Sequence, residues 1–219
     1  MGDAALTYAI MAGNADGIFR IDSGTGVITI ADNTNLDYES ASQHVLTIQA
    51  ENHGGVTDTA TITVDVTDVN EPPSITSDGG GATAAIDAAE NQTSVTTVVA
   101  SDEDAGDTLA YTLTGGADQA LFSIDAGSGV LTFQSAPDHE SPTDADSDGV
   151  YEVTVTVTDD GAGTLTDSQA LSVTVTDVNE APVITSNGGG ATAAIDAAEN
   201  QTSVTTVAAS DVDAGDTVA

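Results

Sequence analysis

The chain has no cysteine and no tryptophan, and its 219 residues include five prolines, three phenylalanines, four tyrosines and one basic side chain, Arg20. Without cysteine there are no disulfides and no thiolate metal sites, so any staple must be of another kind. With so few aromatics the core falls to Val, Ile, Leu and Ala, and a core that thin gains from outside help. A single basic residue excludes nucleic acid as a partner, because phosphate contacts need Lys and Arg. Anionic membrane surfaces are excluded on the same ground. No apolar run approaches the ~20 residues of a membrane span. The opening MGDAALTYAI has neither the basic nor the apolar block of a signal peptide. An export signal and an anchor are therefore expected outside this stretch.

What is present is acid. Thirty-six Asp and Glu give a formal net charge of -35. At 39% hydrophobic residues and a mean hydropathy close to zero, this is a folding polypeptide and not a solvated acidic tail. Its surface repels itself. Two things offset such repulsion: cations held at clustered carboxylates, or high ambient salt.

The sequence repeats. PSITSDGGGATAAIDAAENQTSVTTVVASDEDAGDTLA at 73–110 returns almost letter for letter at 182–219, and TDVNE at 67–71 returns at 176–180. The unit, 109 residues from Pro73 to Pro182, is a whole domain and not a solenoid turn. This length suits a seven-strand sandwich. The expected partition is a first repeat over 1–71 that lacks its first strand, a complete repeat over 72–180, and a leading segment of a third over 181–219.

Within each repeat the hydrophobic period is two. In EVTVTVTD, Val153, Val155 and Val157 alternate with Thr154, Thr156 and Thr158. ATITVDV sets Ile62, Val64 and Val66 against Thr61, Thr63 and Asp65, and LSVTVTDV carries Leu171, Val173 and Val175 on one face. This is the signature of half-buried strands rich in β-branched residues. Turn-forming clusters such as GNADG, DSGTG, DAGSG and DDGAG separate them, and no long stretch has helical spacing. The fold class is all-β.

Calcium takes six to eight hard oxygen ligands, which must converge from several loops. Here the acids recur as LDYE, TDVNE, AEN and SDxDAGD. Taken in order with GNADGIFRIDSGTGVITI at 13–30, DVNEPP at 68–73 and DVNEAP at 177–182, these motifs resemble cadherin repeats, specifically their bacterial and large-adhesin relatives. The resemblance implies tandem seven-strand Greek-key β-sandwiches, immunoglobulin-like and of the cadherin type, with Ca2+ bound between consecutive repeats. Carried over residue by residue, it implies that the first junction uses Asp37, Glu39, Asp68, Asn70 and Glu71, closed by Asp102, Asp104 and Asp159. The second would use Glu90, Asp138, Glu140, Asp177, Asn179, Glu180, Asp211 and Asp213. Glu71 and Glu180 stand where the family usually has Asp, Asn52 replaces the counterpart of Asp159 in the first repeat, and PDHE lacks the Leu of LDYE.

TDADSDG places Asp144, Asp146 and Asp148 at alternate positions before Gly149, like the start of an EF-hand loop, but Val155 stands where the closing Glu belongs. It reads equally as a separate calcium loop or a solvated acidic turn. His44, His53 and His139 are expected in structural or surface roles. No nucleophile elbow, HExxH or phosphate loop is present, so the chain is read as a non-enzyme. The implied role is calcium-dependent stiffening of an extracellular or cell-surface array for adhesion. Its implied partners are calcium, neighbouring repeats, and the same protein on another cell or a surface glycan. The competing reading is a spacer or carbohydrate-binding module of a secreted hydrolase, which would need exposed aromatic platforms.

Overall fold

The computed structural model describes residues 6–213, in two compact units. The first comprises Met1–Pro72 with Asp102–Thr108 and Asp160–Leu165, and the second Pro73–Ser101, Leu109–Asp159 and Thr166–Ala219.

The first unit contains β1 (Thr7–Ala12), β2 (Phe19–Ile21), β3 (Ile28–Ile30), β4 (Gln43–Glu51) and β5 (Thr57–Asp65). They form a three-stranded antiparallel sheet in the order β1-β4-β5 and a β2-β3 ribbon. Its small core is Ile18, Phe19 and Leu46, with Ile10, Ile28, Leu36, Ile48 and Val64 packed around. The alternation in β5 leads to little burial: Ile62 stays 40% exposed and Val64 is half-buried. Leu46, opposite Ile62, is fully buried, so β5 shares the core face; its exposure comes from its place at the edge of the sheet, hydrogen-bonded to β4 alone among the described residues.

The second unit contains β6 (Ser74–Ile75), β7 (Thr83–Ala89), β8 (Ser94–Thr97), β9 (Ala100–Ser101), β10 (Ala110–Gly115), β11 (Phe122–Ile124), β12 (Val130–Phe133), β13 (Val150–Thr158), β14 (Thr166–Thr176), β15 (Val183–Ile184) and β16 (Ala209–Ser210). A four-stranded sheet in the order β10-β13-β14-β7 and a three-stranded sheet β11-β12-β8 make a seven-strand sandwich. β6-β9 and β15-β16 are separate two-stranded pairs. Here the alternation is fully used: Val153, Val155, Val157, Leu171, Val173 and Val175 all point into the core, each no more than 3% exposed. Four of the seven aromatics, Tyr111, Phe122, Phe133 and Tyr151, gather there too. Phe122 stacks on Phe133 at 4.7 Å between ring centroids, and both meet Tyr151 edge-on, arrangements worth more than their buried area alone.

β7 runs parallel to β14, from Thr83↔Ala170 to Ala89↔Thr176, while the other pairs in that sheet are antiparallel. Buried Gln169 anchors the entry to β7 by donating to the carbonyl of Gly81 at 2.9 Å. The β10–β13 register slips between Leu113 and Gly115. Gly116 follows this bulge at φ 98°, where a Cβ would overlap the backbone of Glu152 and Val153. Only glycine fits there.

Candidate metal centres

Two acid clusters are built on the same plan. In the first unit, Asp37 and Glu39 lie in the loop between β3 and β4. The Asp37 carboxylate accepts the backbone N–H of Glu39 at 3.0 Å and the Ser40 hydroxyl at 2.7 Å. This locks the turn and holds Asp37 below the ordinary carboxylate range, the Ser40 hydroxyl contributing most. In the second unit Asp138 makes the matching turn, its Oδ1 accepting from Glu140 and Ser141, each at 3.0 Å. An Asp bonding to backbone two and three residues on is a local preference that sequence can specify.

The linker supplies the next ligands. Asp68, Asn70 and Glu71 follow β5 in irregular backbone. The Glu71 N–H donates to Oδ2 of Asp104 at 2.8 Å, and the Asp104 N–H to Oδ1 of Asp102 at 3.0 Å. In the second unit the Glu180 N–H donates to Oδ2 of Asp213 at 2.8 Å, and the Asp213 N–H to Oδ1 of Asp211 at 3.3 Å. Asn179 turns back on the carbonyl of Glu180 at 3.0 Å, as Asn70 does on that of Glu71 at 3.4 Å.

Side chains then converge. Glu39, Asp68, Glu71 and Asp104 each bring a carboxylate oxygen to within 4.8 Å of the others. So do Glu90, Glu140 and Glu180. Glu90, 2% exposed, accepts the N–H groups of Val178 and His139, each at 2.8 Å, and thereby ties the linker to the Asp138 turn. Asp177 joins His139 and Glu140 in an adjoining group on the same 4.8 Å criterion. Asp159 is buried just past the end of β13.

The electrostatics are one-sided. Burial, then the charges of Asp104 and Asp68, push the Glu71 carboxyl above its ordinary range. Burial, then Asp68 and Glu71, does the same to Glu39. Burial followed by Asp213 and Glu140 raises Asp177. The only Arg or Lys, Arg20, is on β2 and belongs to neither acid group. Oε2 of Glu71, Oδ2 of Asp102, Oε2 of Glu180 and Oδ1 of Asp213 are buried and receive no hydrogen bond among the described residues. A carboxylate oxygen removed from water with no donor costs several kcal/mol unless a cation meets it. Clustered acids with undonated oxygens, supplemented by amide and backbone carbonyls, make a donor set for a hard divalent cation.

Some contributors were not expected from the sequence. Asp107 and Gly161 line a cleft of about 310 Å³ with Asp68, Asn70 and Asp104. A Cβ on Gly161 would overlap the side chains of Asn70 and Asp107, so the loop approaches because it carries none. Glu103 borders a second cleft beside Asp37, Glu39 and Glu71. Asn91 donates from Nδ2 to Glu180 Oε1. Asp107 had a signal, since SDEDAGD recurs as SDVDAGD with Asp216 in its place; Glu103 had none, because its counterpart is Val212. Asp144, Asp146 and Asp148 also come within 4.8 Å of one another. There, buried Asp144 is already satisfied by the N–H groups of Asp148 at 2.9 Å and Gly149 at 3.3 Å.

The class is thus an all-β sandwich protein with an acid cluster repeated at domain period. The cadherin domain family matches residues 2–67 and 83–176, and the chain belongs to that family. It is 35% identical over 223 residues to the protocadherin-like wing polarity protein stan of Drosophila melanogaster, covering 97% of this chain and 6% of that protein. To human protocadherin Fat 1 it is 32% identical over 190 residues, 85% of this chain and 4% of that one. It therefore spans a small fraction of these relatives. The EC22-24 segment of mouse cadherin-23 superposes with a TM-score of 0.57 at 27% identity, covering 80% of this chain and 53% of that one.

Proposed function

We propose that the two acid clusters bind calcium and that the ions stiffen the joints of an extracellular adhesion array. The array would run through repeats at 1–71, 72–180 and 181–219. The observation that carries this reading is the set of four buried carboxylate oxygens, Oε2 of Glu71, Oδ2 of Asp102, Oε2 of Glu180 and Oδ1 of Asp213, that have no donor among the described residues, in a chain with one Arg and no Lys. The first site takes Asp37, Glu39, Asp68, Asn70, Glu71, Asp102, Asp104 and Asp159. The second takes Glu90, Asp138, Glu140, Asp177, Asn179, Glu180, Asp211 and Asp213. Without calcium the acids repel and the joint loosens; with it the sign of the interaction inverts. Extracellular calcium modules work at about 10⁻⁴ to 10⁻³ M. The role is mechanical and adhesive, not catalytic. A glycan-binding role is disfavoured because Phe19, Tyr111, Phe122, Phe133 and Tyr151 are buried and Tyr8 is half-buried, which leaves Tyr38 as the one exposed ring.

The test is a calcium titration of the chelator-treated chain, by calorimetry and by melting. Saturable uptake of more than one ion, with a rise in Tm that the Asp102→Ala plus Asp104→Ala variant diminishes, is the expected result. A melt indifferent to calcium but raised by sodium chloride would mean that the acidity is an adaptation to salt.

A further inference from the structure

The two clusters share a turn but differ in the side chain at its centre. Asp37 and Asp138 make the same pair of backbone hydrogen bonds. Between the two acids of each loop stands Tyr38 in one case and His139 in the other. The first cluster is therefore all oxygen, and the second has an imidazole nitrogen at its edge.

Three observations bear on what that nitrogen does. The Nδ1 of His139 lies 3.1 Å from Oε1 of Glu140, and a ligand atom of Asp177 completes a group in which all three are within 4.8 Å of one another. Two ligands of a tetrahedral ion at ~2.0–2.1 Å sit roughly 3.4 Å apart, so the His139–Glu140 pair already spans such an edge. The backbone of His139 is fixed, its N–H donated at 2.8 Å to Glu90, a side chain only 2% exposed. Finally, the cluster holds undonated negative charge: Asp213 is 8% exposed, with Oδ1 buried and without a donor among the described residues, as is Oε2 of Glu180. Imidazole with two carboxylates is the donor set of a borderline divalent metal, which calcium's preference for oxygen does not need.

We infer that His139, Glu140 and Asp177 form a site for a transition-metal dication of the zinc class, present at the second cluster and absent from the first. The site borrows Glu140 and Asp177 from the proposed calcium set, so zinc and calcium compete for them. Only that competition rests on the calcium reading.

The probe is Zn2+ added to the chelator-treated full chain, followed by calorimetry and by the imidazole proton resonances of the three histidines. A His139→Tyr variant, which installs the residue found at position 38, serves as comparison and identifies the His139 signals. The expected result is one zinc equivalent that moves the His139 resonances, with affinity at least tenfold weaker in H139Y, while calcium uptake by H139Y stays within twofold of wild type. Zinc uptake that is equal in H139Y, or that leaves the His139 resonances in place, overturns the site. Zinc uptake through His139 in a chain that takes up no calcium would sustain the site and remove the calcium reading.

Discussion

Replacing Asp104 by Asn separates two roles of one carboxylate. Its Oδ2 accepts the Glu71 N–H at 2.8 Å, a bond that an amide oxygen preserves, so the substitution removes charge and little else. In chelator, Asp104 is the neighbouring charge that presses most on Glu71. Its loss relieves repulsion and raises the Tm of the variant above wild type. In calcium the same carboxylate is a ligand. One ion at one hundred times its Kd adds about 2.7 kcal/mol, and a site weakened tenfold keeps about 1.4 kcal/mol at the same calcium concentration. For a unit of under one hundred residues, that loss lowers Tm by about 5 to 10 °C. The expected outcome is therefore a reversal of sign: Asp104→Asn melts above wild type in chelator and below it in saturating calcium. Scanning calorimetry on both proteins in both buffers reads this directly. A shift of the same sign in both would refute the idea that Asp104 is a like-charge burden in one state and a ligand in the other.

Two further outcomes follow from burial and from charge. Leu171→Ala empties a position 1% exposed in the sandwich core and should cost about 2 to 5 kcal/mol. Ile62→Ala on the edge strand β5, 40% exposed, should cost less, about 1 kcal/mol or under; urea denaturation of each checks the contrast. The pH dependence of the calcium-free chain has two limbs. Glu39 and Glu71 are held above 4.5 and Asp177 above 3.8, chiefly by burial. Their folded forms bind protons more tightly than the unfolded chain, so stability falls as pH rises through the folded values. Asp22, Asp32, Asp37, Asp125 and Asp160 are held below 3.8, chiefly by Ser or Thr hydroxyls, and their contribution is lost as pH falls through those lower values. Tm in chelator should peak at about pH 4 to 5 and decline toward neutrality. In calcium, which needs ionised ligands, it should instead fall on acidification through that range. Melting curves from about pH 3 to 8 in both buffers decide it, and a chelated Tm that climbs steadily to neutrality would sink the assignment.

Much of the fold was legible because a period of two is a strong code. The valines of EVTVTVTD and the apolar positions of LSVTVTDV point inward as their alternation predicts. The same code in ATITVDV specified a strand and its inward face but not full burial, because β5 lies at the edge of its sheet with a neighbour on one side among the described residues. TAAIDAA makes the limit plain. At 83–89 it is β7, hydrogen-bonded along β14. At 192–198 the identical letters form no strand and lie exposed; no strand is paired with them among the described residues. Strand propensity is mostly a statement about neighbours. The clusters were legible where an acid recurs at domain period or sets its own turn, as Asp37 and Asp138 do. Asn91 and Gly161 escaped because an amide donor reaching across the fold and a glycine chosen for close approach leave no local pattern.

The parallel pairing of β7 with β14 has a consequence for load. Strands that run the same way have their upstream and downstream ends at opposite ends of the ladder. A pull entering through Thr83 and leaving through Thr176 therefore strains all seven rungs, from Thr83↔Ala170 to Ala89↔Thr176, in shear at once. In an antiparallel hairpin, tension on the two free ends would unzip one rung after another. The strand order that completes this sandwich also makes it a mechanical clamp.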